Sequence, residues 1–379
     1  MRACSVKCAL VGTFLFIIST ILYGQYSDVT HSKEPAGGSI DTSGDDEVDW
    51  RIIPIVQPEA GAVETPCSLR KAVRHNPLLR RRFRFLVPVF QGKESFSKPA
   101  WERLRNQRPP YGWKGLPVNV VRSALSLLNS SSGLFDRGSP GRCVRCAVVG
   151  NGGILLGSGQ GKIIDSHDFV FRMNGAVIRG FEEDVGTKIS FYGFTANTMK
   201  NALRMYRADG FTRIPQSSNI KYIFIPSDLR DYVMIAAAVR GQTVRSGRDT
   251  GDRPWKYFGH KPPESFKVLH PDFISYVTRS LLQSPLMTDV RTRHLYMPST
   301  GALMLLTALH TCDQVSAFGF ITGDYAAFSD HYYDSVRRPL KFYSNHDFQL
   351  ERRLWEVLHY NRVIDLYQRR GGSWRRRWG

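Results

Sequence analysis

Short apolar runs that end in glycine-containing turns recur through the middle of the chain. Residues 147–149 (Ala-Val-Val) end at residues 150–153 (Gly-Asn-Gly-Gly), and residues 169–171 (Phe-Val-Phe) are followed by Asn174 and Gly175. Runs of this length bounded by turn residues are typical of buried parallel strands. Because parallel sheets bind ligands beyond the carboxyl ends of their strands, these turns predict half of a nucleotide site.

Helical and extended patterns alternate over the rest of the chain. Helices are predicted at 68–74, 98–106, 118–128, 231–240, 273–282, 302–310 and 347–359, and further strands at 189–192, 222–225, 295–297 and 315–320. Residues 302–310 are apolar on nearly all sides, which predicts a helix buried between layers. The polar stretch 241–263 is long enough to be an active-site loop. The alternation predicts an α/β fold: a single Rossmann-like domain with a mostly parallel central sheet flanked by helices.

The amino-terminal region predicts a membrane anchor followed by a spacer. The apolar run 8–23 follows Arg2 and Lys7 and is short for a spanning helix, which needs about 20 residues, although thin membranes tolerate this. A cleaved signal peptide is the alternative, but residues 22–24 (Leu-Tyr-Gly) supply only one small residue for cleavage. We therefore expect a cytoplasmic tail at 1–7, a signal-anchor at 8–23, a flexible stem at 24–66, a luminal domain at 67–368 and a basic tail at 369–379.

Charge is unevenly distributed along the 379 residues, whose formal net charge is +19. Residues 24–66 hold nine acidic and two basic side chains, whereas residues 67–379 carry +24. A basic balance suggests anionic partners, but zinc-finger spacings, RNP-like aromatic motifs and basic heptads are missing, so nucleic acid is not an expected partner. The arginine clusters at 80–82 and 375–377 fit either a solvated face or a surface that attracts anionic glycoproteins or lipid headgroups.

Six cysteines and one glycosylation sequon fit a luminal protein. Cys4 and Cys8 lie at the cytoplasmic edge of the predicted anchor and should stay reduced or become acylated. The other four cysteines, at 67, 143, 146 and 312, allow three pairings. A bond between 143 and 146 is disfavoured, because residues three apart near a strand start point to opposite faces. Asn129, in the triplet Asn-Ser-Ser, is the predicted glycan acceptor.

Four segments, in order, resemble the motifs of the animal sialyltransferases. Residues 146–193 resemble the large motif, residues 296–320 the small motif and residues 331–334 (His-Tyr-Tyr-Asp) the third, while His346 and Glu351 resemble the very small motif. Their surroundings are similar to the branch that acts on N-acetylgalactosamine with α2,6 linkage, over most of residues 67–368. The resemblance implies a variant GT-A type fold and a single-pass type II protein of the Golgi membrane.

The same resemblance implies an inverting transfer of sialic acid from CMP-sialic acid. The acceptor would be O6 of N-acetylgalactosamine O-linked to Ser or Thr of glycoproteins, of the Tn, T or sialyl-T type. CMP carries one phosphate and the chain has no D-x-D triplet, so we expect no metal and no other cofactor. The expected partners are the donor, O-glycosylated glycoproteins, the Golgi membrane and a second copy of the chain.

His346 is the predicted general base, because it directly precedes a predicted helix whose dipole disfavours the imidazolium. His331 is predicted to assist the leaving phosphate, with Tyr332 lining the cleft and Glu351 orienting the site. The residues expected to bind the nucleotide or sugar are Asn151, Asn174, Ser299, Thr300, Gly301, Gly319 and Phe320. Without the resemblance, helix capping would explain Ser299 and His346, and turn chemistry the two asparagines.

The resemblance also implies a disulfide between Cys146 and Cys312, which leaves Cys67 to pair with Cys143. Three other functions remain open. A dinucleotide site would need glycine at position 155, where the chain has Leu155. A sialyltransferase that acts on galactose or glycolipids would share the motifs, and so would a glycan-binding protein that has lost catalysis.

Overall fold

One mostly parallel sheet of eight strands organises residues 67–136 and 141–369, the parts of the chain that the computed structural model describes. The spatial order is β1-β6-β5-β4-β3-β2-β7-β8, with β1 antiparallel to β6 and every other pair parallel. The strands are β1 (Phe90–Gln91), β2 (Arg145–Val149), β3 (Phe169–Met173), β4 (Phe191–Phe194), β5 (Lys221–Phe224), β6 (Phe266–Leu269), β7 (Gln314–Phe318) and β8 (Asp365–Leu366). The predicted α/β fold with a central parallel sheet is confirmed.

Twelve α-helices connect and cover these strands within the described ranges. They are α1 (Leu69–His75), α2 (Pro77–Arg82), α3 (Lys98–Leu104), α4 (Val118–Leu125), α5 (Gly161–Asp165), α6 (Glu182–Val185), α7 (Ala196–Met205), α8 (Leu229–Arg240), α9 (Trp255–Phe258), α10 (Pro271–Tyr276), α11 (Thr300–Thr311) and α12 (Phe348–Tyr360). A π-helical turn, Val277–Leu281, continues α10.

The two faces of the sheet build separate apolar cores. Along β2, Ala147 and Val149 enter one core, and Cys146 and Val148 enter the other, as the two-residue period of a strand requires. Helix α11 lies in the second core and buries nearly all of its residues, which confirms the prediction of a helix buried between layers.

Two disulfides fasten the start of the domain and the central strands. Cys146 of β2 pairs with Cys312, which follows α11, at a Cα–Cα distance of 6.2 Å. Cys67 pairs with Cys143 at 5.3 Å. Both implied pairings are confirmed, and the first links the strand before the glycine-rich turn to the helix of the small motif.

Two segments have a structure or a position other than the one predicted from the sequence. Residues 295–297 form no strand. The Leu295 and Tyr296 N–H groups donate to Thr292 O in a turn (2.8 and 3.0 Å), and the Met297 N–H donates to the Asn345 carbonyl of a loop (3.1 Å). Residues 241–263 do not line the main cleft, because Asp249 and Asp252 pair with Lys200 (2.7 and 2.5 Å) and hold this segment against α7.

Several predictions concern the chain ends. The cytoplasmic tail, the anchor at 8–23, the stem at 24–66 and the basic tail beyond Arg369 lie outside the described residues, as do Cys4 and Cys8. Among the residues that are described, no helix has both the length and the apolar character needed to span a membrane.

Candidate active site

A cleft of about 510 Å³ opens at the carboxyl edge of the sheet, where β2, β3 and β7 end. Its walls come from the turns after these strands, the first turn of α11, helix α7 and the segments around residues 325–348. It brings together ten of the residues predicted from sequence: Asn151, Asn174, Ser299, Thr300, Gly301, Gly319, Phe320, His331, His346 and Glu351. Segments almost 200 residues apart in the chain therefore share one cavity.

The floor of the cleft is two strand ends in backbone contact. Gly150 N–H donates to Phe318 O (2.7 Å) and Gly152 N–H donates to Gly319 O (3.0 Å). A Cβ at Gly150 or Gly152 would lie 2.6 Å from Gly319 O, and Gly319 itself has φ +70°, in the region that favours glycine. Glycine is required here because a side chain would force β2 and β7 apart.

Two asparagines follow β2 and β3, as their positions in the sequence predict. Asn151 donates from Nδ2 to Met173 O (3.3 Å), and Asn174 adopts φ 48° at the end of β3. The Oδ1 atoms of both are buried and accept no hydrogen bond from the described residues. Because buried acceptors are rarely left unsatisfied, these oxygens suit a ligand with hydroxyl or amino donors.

The first turn of α11 supplies free backbone donors. Ser299 caps this helix, with its Oγ accepting from Ala302 N–H (3.0 Å). Its own N–H is already used by Glu351, so the donors left without an acceptor in the described structure are the N–H groups of Thr300 and Gly301. With the positive end of the helix dipole, these two groups suit a phosphate.

Glu351 supports this helix end from α12. Its two oxygens accept from Ser299 N–H (2.9 Å) and from the Ser299 hydroxyl (2.6 Å). Burial raises the pKa of Glu351 to about 7, although the bonds from Ser299 oppose the shift. The carboxyl therefore sits near its titration point at neutral pH, next to the first turn of α11.

His346 is held with its proton on one ring nitrogen and its lone pair on the other. Its Nδ1 lies 2.7 Å from Met297 O, and since a carbonyl only accepts, the proton belongs on Nδ1 and the lone pair on Nε2. Nε2 lies 3.3 Å from Asn345 Nδ2. Burial lowers the pKa of His346 below that of a free imidazole, against the effect of the Met297 bond. The ring is therefore neutral and basic at neutral pH.

His331 is anchored by the segment that forms the third motif. Its N–H donates to Asp334 Oδ2 (2.9 Å), its ring stacks on Tyr333 (4.9 Å between centroids), and it forms an antiparallel bridge with Gly152. Its Nδ1 lies 3.6 Å from carboxylate oxygens of both Asp330 and Asp334. The geometry positions an imidazole beside two acids at the cleft wall.

Tyr332 occupies a different place from the one predicted. It is only 1% exposed and does not line the cleft. Its N–H donates to Asn151 O (3.0 Å), and its hydroxyl donates to Val177 O. Tyr332 therefore braces the turns after β2 and β3 from behind, because its aromatic ring is drawn into the apolar core.

Sequence reasoning missed one whole wall of the cleft. Helix α7 presents Asn197, Thr198 and Asn201, and Tyr206 follows it. The signal was available: Thr195 and Thr198 form a reciprocal cap, and Met199 and Ala202 are buried at helical spacing. No group of three or more His, Cys, Asp or Glu side chains in the described ranges is placed to hold a metal ion.

An α/β fold with a cleft at the carboxyl edge of its parallel sheet is typical of enzymes that bind nucleotides, and comparison of the sequence shows the family. Residues 90–363, well over half of the chain, match glycosyltransferase family 29 (sialyltransferase). The chain therefore belongs to this family of sialyltransferases, as its four motifs predict.

Individual members of the family show which branch this chain resembles. The chain is 56% identical over 306 residues to Alpha-N-acetylgalactosaminide alpha-2,6-sialyltransferase 2 of Homo sapiens, a match that covers 79% of this chain and 82% of that protein. It is 42% identical over 322 residues to Alpha-N-acetylgalactosaminide alpha-2,6-sialyltransferase 1 of Gallus gallus, covering 80% of this chain and 55% of that one. The predicted similarity to the N-acetylgalactosamine branch is confirmed.

A solved structure shows the same fold. It is the "Crystal Structure of a Mammalian Sialyltransferase in complex with Gal-beta-1-3GalNAc-ortho-nitrophenol", with a TM-score of 0.57 and 24% identity. The match covers 80% of this chain and 98% of that one.

Proposed function

We propose that this protein transfers sialic acid from CMP-sialic acid to O6 of N-acetylgalactosamine that is O-linked to Ser or Thr of glycoproteins. The linkage formed is α2,6, and the acceptors are of the Tn, T or sialyl-T type. The proposal is supported by the 56% identity to a relative named for this linkage and acceptor sugar, and by the single cleft that unites all four motifs. It includes a variant GT-A fold and a type II Golgi membrane location, with the 8–23 segment as anchor.

A position for the donor is supported by the polar groups of the cleft that have no hydrogen-bond partner in the described structure. The phosphate of CMP accepts from the Thr300 and Gly301 N–H groups, where the dipole of α11 favours negative charge. Asn151 and Asn174 offer their Oδ1 atoms to hydroxyl or amino donors of the nucleotide and sugar. The close approach of Gly150 and Gly319 leaves flat backbone beside Phe320, against which the cytosine can lie.

The transfer itself is a single inverting displacement. A lone pair of the acceptor O6 forms the new bond to the anomeric carbon of sialic acid, and the bond from that carbon to the phosphate oxygen breaks. The electron pair leaves with CMP, and the O6 proton passes to Nε2 of His346. His331 donates a hydrogen bond to the departing phosphate, and the transition state is oxocarbenium-like. No step needs a divalent metal, since the leaving group carries one phosphate.

The experiment uses the full chain in detergent micelles with CMP-sialic acid. The acceptors are a GalNAc-Thr peptide, the same peptide extended with galactose, a lactosamine and a glycolipid, with the linkage read by NMR. We expect transfer to O6 of the peptide-linked GalNAc. Transfer only to galactose or to the glycolipid would replace the acceptor assignment. Donor binding without transfer to any of the four would indicate a glycan-binding protein.

His346→Ala tests the base within the same assay. We expect kcat to fall by about 10²- to 10⁴-fold, the range typical of general-base catalysis, while CMP still binds. His75→Ala is the matched control, because the ring of His75 also bonds to a carbonyl (Lys71 O, 2.7 Å) but is exposed on α1. Undiminished turnover in His346→Ala would rule out the base assignment.

A further inference from the structure

A second cavity, of about 290 Å³, lies apart from the main cleft and is basic. Three arginines line it, Arg108, Arg279 and Arg293, and no acidic residue does. Its remaining wall includes Gln107, Tyr111 and Tyr296. We call this cavity the arginine pocket.

The three guanidinium groups are unpaired with acids in the described structure. Across residues 67–136 and 141–369, no carboxylate oxygen lies within 4.0 Å of any of them. Arg108 instead donates to the carbonyls of Arg293 and His294, and Arg279 lies 3.5 Å from Gln107 Oε1. Three arginine residues that line one cavity favour an anionic ligand, and the planar guanidinium fork matches a carboxylate.

Two arginines near the pocket do pair with acids, so the lack of an acidic partner among the described residues distinguishes the arginines of the pocket from these two. Arg291 pairs with Asp289 (3.3 Å), and Arg105 pairs with Glu102 (3.3 Å). Acids are therefore available nearby, but they neutralise residues outside the pocket.

The arginine pocket is connected to the catalytic cleft by a very short stretch of chain. Tyr111 donates its hydroxyl to Tyr296 O (3.2 Å) in the pocket wall. The next residue, Met297, accepts from Nδ1 of His346. Consecutive Cα atoms lie about 3.8 Å apart, so the pocket wall and the partner of the base are adjacent.

We propose that the arginine pocket binds a carboxylate of the acceptor glycoprotein, next to the N-acetylgalactosamine that is modified. This inference rests on the function proposed above. The carboxylate has two possible sources: a sialic acid already present on the acceptor glycan, or an acidic side chain of the acceptor peptide. The chemistry of the contact is the same for both.

The test compares three acceptors that share one GalNAc-Thr site, using the full-length protein. The first is neutral, the second has an aspartate near the glycosylated threonine, and the third carries a sialylated galactose on the GalNAc. The variants are Arg279→Ala and Arg293→Ala, with Arg291→Ala as the control outside the pocket. Arg293→Lys tests whether charge alone restores binding.

We expect each pocket variant to raise KM about tenfold for one of the two acidic acceptors, with kcat unchanged, because one charge-assisted contact is lost. KM for the neutral acceptor and for the donor should change far less. The acidic acceptor that responds identifies the source of the carboxylate. The wild-type preference for that acceptor should shrink as salt increases.

Equal KM values for acidic and neutral acceptors in the wild type would overturn the inference, as would the same effect in Arg291→Ala. If none of the three acceptors is sialylated, the proposed function fails instead. Calorimetric titration of the acidic and neutral glycopeptides into wild type and Arg279→Ala then still tests the pocket: weaker binding of the acidic peptide alone supports it, and equal binding contradicts it.

Discussion

Replacing Glu351 by glutamine separates the charge of this carboxyl from its size. Glu351 is 3% exposed and accepts two hydrogen bonds from Ser299, the residue that caps α11. Glutamine keeps the shape and one acceptor oxygen but cannot ionise. Because Thr300 and Gly301 follow Ser299 directly, the substitution removes the charge beneath the proposed phosphate site, together with one of the two acceptors for Ser299.

The expected effect on stability follows from the raised pKa. Burial raises the pKa of Glu351 from 4.5 to about 7, so the folded state holds this proton more tightly than the unfolded state. The stabilisation is fully present below pH 4.5 and is lost as the pH rises through about 7. A shift of this size corresponds to about 3 kcal/mol, at 1.36 kcal/mol per pH unit.

Urea unfolding between pH 4.5 and 8 measures this contribution. The unfolding free energy of the wild type should fall over that interval by about 3 kcal/mol more than that of Glu351→Gln. Glu102→Gln serves as a control, because Glu102 is exposed and pairs only with Arg105. Donor affinity should follow the same titration: above pH 7 the ionised carboxylate repels the phosphate, so KM for CMP-sialic acid rises in the wild type and stays flat in Glu351→Gln. If the unfolding free energy and the KM for CMP-sialic acid changed with pH in the same way in the wild type and in Glu351→Gln, titration of Glu351 would not be their cause.

Three further predictions concern the framework of the site. Cys312→Ala removes a disulfide between residues 166 apart, so the unfolding free energy should fall by about 4–5 kcal/mol and activity should be lost; full activity would contradict this role. Gly319→Ala places a Cβ 2.7 Å from Gly150 O, so it should weaken CMP binding and lower the urea midpoint of unfolding. Gly115→Ala is the control, because Gly115 also has a positive φ but has open space around it, and equal effects of the two substitutions would show that backbone strain alone matters. Protein assayed in excess EDTA should keep its initial rate, whereas loss of activity that returns with added Mg²⁺ or Mn²⁺ would show that a metal takes part.

Sequence patterns predict the donor side of the cleft because local chemistry and topology agree there. Asn151 and Asn174 follow buried apolar runs, and the carboxyl ends of neighbouring parallel strands meet at one edge. Ser299 is a good cap before a uniformly apolar helix, so the end of α11 was also predictable. His346 was predicted from the resemblance to the family rather than from a local pattern, since its position depends on contact with Met297, 49 residues away.

Three predictions made from the sequence were wrong, each for a physical reason. Residues 295–297 have a strand-like composition, but a strand needs a partner, and their N–H groups bond to Thr292 in a turn and to Asn345 in a loop. Tyr332 follows the cleft residue His331 in sequence, yet its ring is buried in the apolar core. The polar segment 241–263 suggests an active-site loop, but its acids pair with Lys200 and Arg230. In each case a long-range contact overrides a local preference.

A crystal structure of the full chain with CMP tests the central claim most directly. We expect the phosphate to accept hydrogen bonds from the Thr300 and Gly301 N–H groups, with Asn151 and Asn174 on the nucleoside side and Nε2 of His346 facing the same cavity. CMP bound anywhere else, or in the cleft with its phosphate away from the first turn of α11, would show that the donor site is not the one proposed.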